Sequence, residues 1–261
     1  MQSSVFESDH QGTPPEEPFP SSPSGTEPAA SQGHLAVALA LHGPLYAIIT
    51  AASTLHRRLG EAPNLDELTR VQQEAGGRML RVLDNLVDMW GPLRPWLEPT
   101  PIGVVLSSAL ANVRLTLGLR DRNRSVALYL PSPAPVVLAD PVLLSHALIN
   151  VFANAFDHGD PHGRIEASVE RCRGSQVRIN IVNDGPVIPN HYLERVFEPF
   201  FTTRHATAGL GLSATRRLVN AMQGNISLEC SRQGVRISLF FDDAEASCRS
   251  GVFPAAPTVG D

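Results

Sequence analysis

The sequence contains no lysine, and all 21 basic residues of the 261-residue chain are arginine. The absence of lysine excludes a Schiff-base enzyme and a phosphate site built on a lysine. Five of the 26 acidic residues lie in the first 33 positions, and the remaining 21 balance the 21 arginines. A neutral body lacks the basic patch that nucleic-acid binding requires, so nucleic acid is not an expected partner.

Cysteine is also scarce. Cys172, Cys230 and Cys248 are far apart and show no paired spacing. This pattern excludes a disulfide scaffold and a cysteine-based zinc site. An odd number of unpaired cysteines is typical of a reducing compartment, and we therefore predict a cytoplasmic protein.

The longest apolar stretch, residues 35–53, resembles a membrane span only superficially. It is interrupted by His42-Gly43-Pro44 and lacks flanking basic or aromatic anchors. We therefore predict no membrane span, and instead a buried helix over residues 34–60 with a kink risk at Gly43-Pro44.

A second helix is predicted to follow, with Asn64 as its N-cap and Glu67 as its capping-box partner. Apolar residues recur along it every three or four positions: Leu65, Leu68, Val71, Ala75, Met79, Leu83, Leu86 and Met89. Two helices with apolar faces form a hairpin, and two hairpins can bury those faces in a dimeric four-helix bundle. We therefore expect a homodimer formed through residues 34–92.

The remaining chain divides by composition. Residues 1–33 and 244–261 are rich in small and polar residues and proline, and are predicted to be disordered. Between them, helices are predicted at Ile102–Leu119, Pro141–His158 and Gly211–Met222, and strands at Val126–Leu130, Arg164–Arg171, Gln176–Val182, Asn225–Cys230 and Gly234–Phe241. Such mixed elements predict an α+β domain over residues 100–243, with helices on one face of a sheet.

Three segments of this domain carry polar groups suited to a ligand. In the helix over residues 141–158, Asn150, Asn154 and His158 recur every four residues and therefore share one face. An asparagine oxygen suits a hard cation such as Mg²⁺ that is already bound to phosphates. A polar stripe on an ordinary amphipathic helix is the alternative interpretation.

The second segment is Asn183-Asp184-Gly185-Pro186, directly after a predicted strand. Gly185 would let the backbone approach a flat base closely, and a side-chain acceptor just before it could bind the exocyclic amine of adenine. An ordinary strand-ending turn is the alternative.

The third segment is the run Phe197–Arg204, followed by Gly209-Leu210-Gly211-Leu212 at the start of a helix. Backbone N–H groups at a helix N-terminus form an anion site, and Arg204 could add a charge-assisted hydrogen bond to phosphate. Structural packing of the aromatic residues is the alternative.

Together the three segments resemble the N, G1, F and G2 boxes of the GHKL ATPases, and specifically their histidine-kinase branch. The resemblance implies the Bergerat fold, an α/β sandwich that binds ATP–Mg²⁺ under a lid over residues 189–208. It implies that Asn154 holds Mg²⁺, that Asn150 and His158 face phosphates, and that Asn183 reads adenine. Gly209 and Gly211 would bound the phosphate end of the lid, with Leu210 and Leu212 beside them.

The hairpin resembles the dimerisation and phosphotransfer module of the same family, but its phosphoacceptor motif departs from the pattern. Leu39 stands five residues before Pro44, where the family places its histidine, and Ala40 stands where an acid follows. A leucine cannot accept a phosphoryl group. His42 and His34 are the nearby alternatives, and His42 is the candidate acceptor.

The nucleotide boxes depart too. Asn183 replaces an acid, although its amide oxygen can still accept from the adenine amine. Val187 replaces a glycine, which predicts added bulk and strain. Thr207 replaces the first glycine of the last box.

Three functions follow from the resemblance. The first is a kinase-like signalling protein that binds ATP and a response-regulator receiver domain, with kinase or phosphatase activity. The second is a catalytically inactive pseudokinase whose apolar Leu39-Ala40-Leu41 suits a protein contact. The third is an anti-sigma-type serine kinase, which the hairpin argues against.

Overall fold

The structure of the protein is a computed structural model that describes residues 41, 45, 48–50, 54, 63–116, 124–160, 162–203, 207–231 and 234–246. Several predictions lie outside these residues. They are the terminal segment 1–33, residues 247–261 of the predicted tail 244–261, most of the predicted first helix over residues 34–60, the acceptor candidates His34 and His42, the neighbouring Leu39, and Arg204. Residues 244–246, which we predicted to be disordered, are helical, and Ala244 is buried.

Helix α1, Pro63–Trp90, is the second helix of the predicted hairpin. It begins at Pro63, so Asn64 is its second residue and the prediction of Asn64 as the N-cap is wrong. A proline at the first position suits a helix because its missing N–H would have no intrahelical acceptor there. The apolar stripe is buried at Leu83, whereas Val71 is 55% and Met79 56% exposed.

The α+β part of the chain follows α1. In chain order it comprises β1 Glu98–Pro101, α2 Ile102–Thr116, β2 Val126–Tyr129, β3 Val136–Ala139, α3 Pro141–His158, β4 Ile165–Cys172, β5 Gln176–Asn183, α4 Gly211–Ala221, β6 Asn225–Ser231 and β7 Gly234–Asp242. Two short 3₁₀ turns, Asn190–Tyr192 and Arg195–Phe197, lie between β5 and α4. The predicted helices and strands are confirmed, apart from shifts of a few residues at their ends.

Strands β1 and β3 escaped the sequence analysis. They pair antiparallel as a separate ribbon in which Glu98 faces Ala139 and Pro101 faces Val136. Two prolines occupy alternate positions of β1, which masks its strand pattern, and proline is tolerated only at a sheet edge. A ribbon of two four-residue strands is such an edge.

The main sheet has five strands in the order β2-β4-β5-β7-β6. Strand β2 runs parallel to β4, and the other pairs are antiparallel. The alternation along β5 directs Val177, Ile179 and Ile181 to the buried face. Asn183 ends the strand in the same phase, so it belongs to that face.

Helices α2, α3 and α4 cover this buried face, and their apolar residues form one core with it. The start of α3 is fixed by Asp140, whose Oδ1 accepts hydrogen bonds from the backbone N–H groups of Val142 (2.9 Å) and Leu143 (3.1 Å). The fold is therefore an α/β sandwich of a sheet and a helical layer. Within the described part of the chain, no helix is long and apolar enough to span a membrane.

Candidate functional site

A cavity of about 520 Å³ opens between the end of β5, helices α3 and α4, the segment that joins β5 to α4, and helix α1. Its apolar wall includes Ile188, Leu228 and Ile237, and its polar wall includes asparagine, threonine and arginine side chains. Its volume suits a small molecule, because ligand pockets in proteins measure roughly 300–1,000 Å³.

Three predicted site residues of α3 line this cavity. Asn150, Asn154 and His158 follow one another along the helix face, as their spacing predicts. Asn150 is 8% exposed, and its Nδ2 donates to Oδ1 of Asn85 in α1 at 2.7 Å. The side chains of Asn154 and His158 are half-buried.

Asn183 reaches the same cavity from the end of β5. The residue is 5% exposed, and its Nδ2 has no hydrogen-bond partner among the described residues. An unpaired buried amide is costly, so this donor calls for a ligand acceptor. The amide offers both a donor and an acceptor to a ligand at this end of the cavity.

Gly185 and Val187 differ from what the sequence suggests. Gly185 does not line the cavity, and a Cβ there would overlap the carbonyl oxygen of His158, so its missing side chain serves packing against α3. Its approach to a base therefore stays a prediction. Val187 lines the cavity, and its φ is not positive. The strain expected at Val187 is therefore not found.

The segment Gly209–Leu212 also lines the cavity. Gly209 has φ +65°, and a Cβ there would lie 2.6 Å from the carbonyl carbon of Phe200, so only glycine fits. A Cβ at Gly211 would meet nothing within 4 Å, which leaves room for a ligand beside the backbone. Leu210 caps α4 with no side-chain hydrogen bond, so the N–H groups of the first turn are available to an anion.

Helix α1 supplies the part of the cavity that the sequence analysis missed. Arg78, Arg81, Val82 and Asn85 all line it. Their spacing of three and four positions places them on one face of α1, and this polar stripe was the available signal. We assigned α1 only to the hairpin and therefore overlooked it.

A small set of contacts holds α1 against the sandwich. Besides the bond between Asn85 and Asn150, Nδ1 of His146 lies 3.2 Å from Oδ2 of Asp88. Arg217 of α4 donates to the carbonyl oxygens of Asp88 and, at 2.8 Å, of Gly91. The two bonds from Arg217 satisfy the carbonyl of Asp88 in the last turn of α1, where no N–H of the helix is available to it, and the carbonyl of Gly91 just beyond the helix.

An aromatic contact connects α1 with the segment between β5 and α4. The rings of Trp90 and Phe200 stack with centroids 5.8 Å apart. Phe200 has φ 66°, a conformation that bulky side chains rarely adopt. The end of α1 and the predicted lid are therefore in direct contact.

Arg124 does not line the cavity but contacts the segments that do. Its side chain is 1% exposed, and its guanidinium donates to the carbonyl oxygens of Gly163 (3.3 Å) and Phe156 (3.2 Å) and to Oδ1 of Asp184 (3.2 Å). It thus fixes the end of α3 and the turn after Asn183 relative to each other. No motif in the sequence marks this residue.

Two basic groups at the α1 contact have shifted pKa values. Burial lowers the pKa of Arg81, while the carboxylate of Asp157 acts in the opposite direction. The hydrogen bond that the His146 ring donates to the Asp88 carboxylate raises the pKa of His146, burial opposes the increase, and the charges of Asp88, Asp84 and Asp140 add to it. Charged groups of α1 and of the sandwich therefore interact at two places, Arg81 with Asp157 and Asp88 with His146.

The described residues contain no cluster of three or more histidine, cysteine or acidic side chains that could hold a metal ion by themselves. Asn154 fits a different role, because a half-buried amide oxygen that lines the cavity can complete the shell of a cation already bound to phosphates. Mg²⁺ typically binds in this way, through one or two protein ligands plus substrate phosphates.

The sheet, its helical layer and the cavity at the end of β5 have the architecture of the Bergerat fold. Residues 139–245 match the family described as histidine kinase-, DNA gyrase B-, and HSP90-like ATPase. The sensor histidine kinase ZraS of Escherichia coli O157:H7 is 28% identical over 220 residues, which are 82% of this chain and 47% of ZraS. Together with the boxes described above, these matches identify a GHKL-type histidine-kinase catalytic core in this chain.

Two solved structures share the fold. Full-length ShkA in complex with AMPPNP has a TM-score of 0.60 at 23% identity, over 82% of this chain and 46% of ShkA. Histidine kinase ThkA in complex with the response regulator TrrA has a TM-score of 0.56 at 20% identity, over 83% of this chain and 63% of ThkA. The chain spans about half the length, or less, of the curated relatives it matches.

Proposed function

We propose that the cavity binds ATP with Mg²⁺ and that the chain acts as a histidine-kinase-like protein of two-component signalling. One observation carries the proposal: residues from three separate segments, represented by Asn154, Asn183 and Gly211, line a single cavity. ShkA, which is similar in fold, was solved with the ATP analogue AMPPNP.

The chemistry of the two ends of the cavity supports one orientation of the nucleotide. Adenine would lie against Ile188, Leu228 and Ile237, with its Watson–Crick edge toward Asn183. The phosphates would extend to the uncapped N-terminus of α4 beside Gly211. Asn154 would complete the shell of Mg²⁺, which neutralises phosphate charge, and His158 lies one turn further along α3.

Calorimetric titration of the full chain with ATP, with and without Mg²⁺, tests this site. We expect Asn154→Ala to weaken binding in Mg²⁺ by about 10-fold or more, as loss of a charge-assisted ligand predicts. The matched control is Asn112→Ala, because Asn112 is exposed on α2 and lies outside the cavity. Equal affinities of wild type and Asn154→Ala would count against the site.

Phosphotransfer to a response-regulator receiver domain is the proposed output. ThkA, which shares the fold, was solved with its response regulator. The exposed apolar side chains of Val71 and Met79 on α1 support dimerisation through the hairpin, because a second copy would bury them. Acid-labile phosphate on the chain after incubation with ATP, lost in His42→Ala and retained in His34→Ala, would support transfer through His42.

A pseudokinase is the second candidate, and the residues before Pro44 favour it. Leu39 and Ala40 occupy the positions where the family has a histidine and an acid. In this case the chain would bind ATP, remain unlabelled, and regulate a partner signalling protein as an adaptor. Nucleotide binding without phosphate transfer would therefore favour the pseudokinase over the kinase.

A further inference from the structure

The charges around the cavity are divided unevenly between its two walls. From the sandwich, the described lining residues that titrate are Asp157, His158 and Tyr192. Asp157 is the one carboxylate among them. The described residues of this wall therefore bring one carboxylate and no arginine to the cavity, while the predicted phosphate contact Arg204 lies outside the described residues.

Helix α1 reverses this balance. Arg78 and Arg81 line the same cavity from the opposite side, and Arg81 lies close enough to Asp157 for their charges to interact. With both guanidinium groups present, the described lining of the cavity changes from net negative to net positive. A guanidinium group is also the side chain best suited to paired hydrogen bonds with phosphate oxygens.

We propose that Arg78 and Arg81 bind the phosphates of the nucleotide, so that α1 completes the site that the sandwich begins. This inference rests on the proposed ATP binding and adds the source of its positive charge. Arg81 is the stronger contributor, because its half-buried side chain is less screened by water than the exposed Arg78.

The contacts at the end of α1 make this arrangement specific. Asn85 binds Asn150 one helical turn beyond Arg81, and Asp88 pairs with His146. These bonds fix the rotation of α1 so that the stripe of Arg78, Arg81 and Asn85 faces α3 and the cavity. A rotation of α1 by half a turn would direct both arginines away from the nucleotide.

A coupling between the nucleotide and helix docking follows. If α1 supplies phosphate contacts only when docked, ATP strengthens docking by the same factor by which docking strengthens ATP binding. Adenosine, which has no phosphates, would leave docking unchanged. The fluorescence of Trp90 can report docking, because Trp90 is at the end of α1 and its ring stacks on that of Phe200.

The test compares ATP and adenosine binding, in Mg²⁺, to the full-length wild type, Arg81→Gln and Arg78→Gln/Arg81→Gln. We expect ATP affinity to fall about 10-fold in Arg81→Gln and further in the double variant, with adenosine affinity within about 2-fold of wild type. Arg81→Lys should recover part of the loss because it restores the charge. Arg94→Gln is the matched control, since Arg94 is exposed and lies outside the cavity.

The fluorescence emission of Trp90 is a second readout, for use if a variant folds poorly. In a Trp96→Phe background Trp90 is the remaining tryptophan of the two in the chain. ATP should then change its emission, adenosine should not, and Arg81→Gln should abolish the ATP effect. Equal ATP affinity in wild type and the double variant would overturn the inference while leaving the proposed function intact. A wild type that binds neither ligand would overturn both.

Discussion

The two walls of the cavity are held in place in different ways. The sandwich wall is continuous with the core, where Phe152, Ile179 and Leu218 are fully buried or nearly so. The α1 wall is held by a few polar bonds, by the Trp90–Phe200 stack and by the partly buried end of the helix. Burial of apolar surface dominates folding, whereas individual hydrogen bonds contribute about 0.5–1.5 kcal/mol each.

This difference predicts that the α1 wall detaches more readily than the sandwich wall, and we call them the detachable and the permanent wall. Asn183, which we propose to recognise the base, lies on the sandwich wall. The two arginines lie on the detachable wall, which also belongs to the helix of the predicted hairpin. Movement of α1 could therefore change the phosphate end of the site while the base end stays intact.

The largest expected effect tests the permanent wall. Arg124→Met should lower the free energy of unfolding by about 3 kcal/mol, because it leaves two carbonyl groups and Asp184 without their buried donor. Urea denaturation measures the change. The exposed Arg94→Gln should leave stability within about 0.5 kcal/mol, and an equally small effect of Arg124→Met would show that Arg124 does not support the wall.

Substitutions of two glycines, Gly209 beside the predicted lid and Gly174 as its control, test how closely the lid backbone packs. Gly209→Ala should cost about 2–3 kcal/mol, because it adds backbone overlap to an unfavourable positive φ. Gly174 is the matched control, since it has φ +81° but nothing within 4 Å of a Cβ. Gly174→Ala should therefore cost only about 1 kcal/mol in thermal unfolding. Equal losses would mean that the contact with Phe200 is unimportant.

The base end should respond to the chemistry of Asn183. Where adenine has its N6 amine, guanine has the acceptor O6; a rotated amide can donate to O6 through Nδ2, whereas a carboxylate only accepts hydrogen bonds and would face O6 without a donor. We expect Asn183→Asp to keep ATP binding and to weaken GTP binding about 10-fold relative to wild type, as one lost buried hydrogen bond predicts. Competition titrations with both nucleotides measure this. An unchanged GTP affinity in Asn183→Asp would show that Asn183 does not recognise the base.

The smallest effect concerns the detachable wall and pH. Because the pKa of His146 is raised when it pairs with Asp88, the pair stabilises docking below about pH 6.5 and is lost as the pH rises through the raised pKa. The gain should stay under about 1 kcal/mol, since the His146 side chain is 39% exposed. Trp90 emission followed from about pH 6 to about pH 8.5 should show weaker docking at high pH.

Asp88→Asn is the matched control for this titration. It removes the carboxylate but keeps the shape of the side chain, so the pH dependence assigned to His146 should shrink. A wild-type profile that is identical to the Asp88→Asn profile would exclude the pair as a determinant of docking.

Most of the fold could be predicted because its elements follow periodic patterns. Helix α3 can be predicted from the spacing of its apolar residues, and β5 from its alternation. Strands β1 and β3 could not be found in the same way. They are four residues long and are stabilised by pairing across the chain, which a local pattern cannot reveal.

The candidate site divides along the same line. Asn154 and Asn183 could be predicted as site residues because each lies at a characteristic position of a helix or strand and within a recognisable motif. Arg78 and Arg81 were not, because their place depends on how α1 docks through Asn85 and Asp88. The site roles themselves, including that of Gly185, stay predictions until a nucleotide is bound.

A crystal structure of the full chain with AMPPNP and Mg²⁺ tests the central claim most directly. The account predicts the base beside Asn183, the metal at Asn154, and the phosphates between the N-terminus of α4 and Arg81. An empty cavity at saturating ligand, or a nucleotide bound elsewhere on the chain, would contradict it.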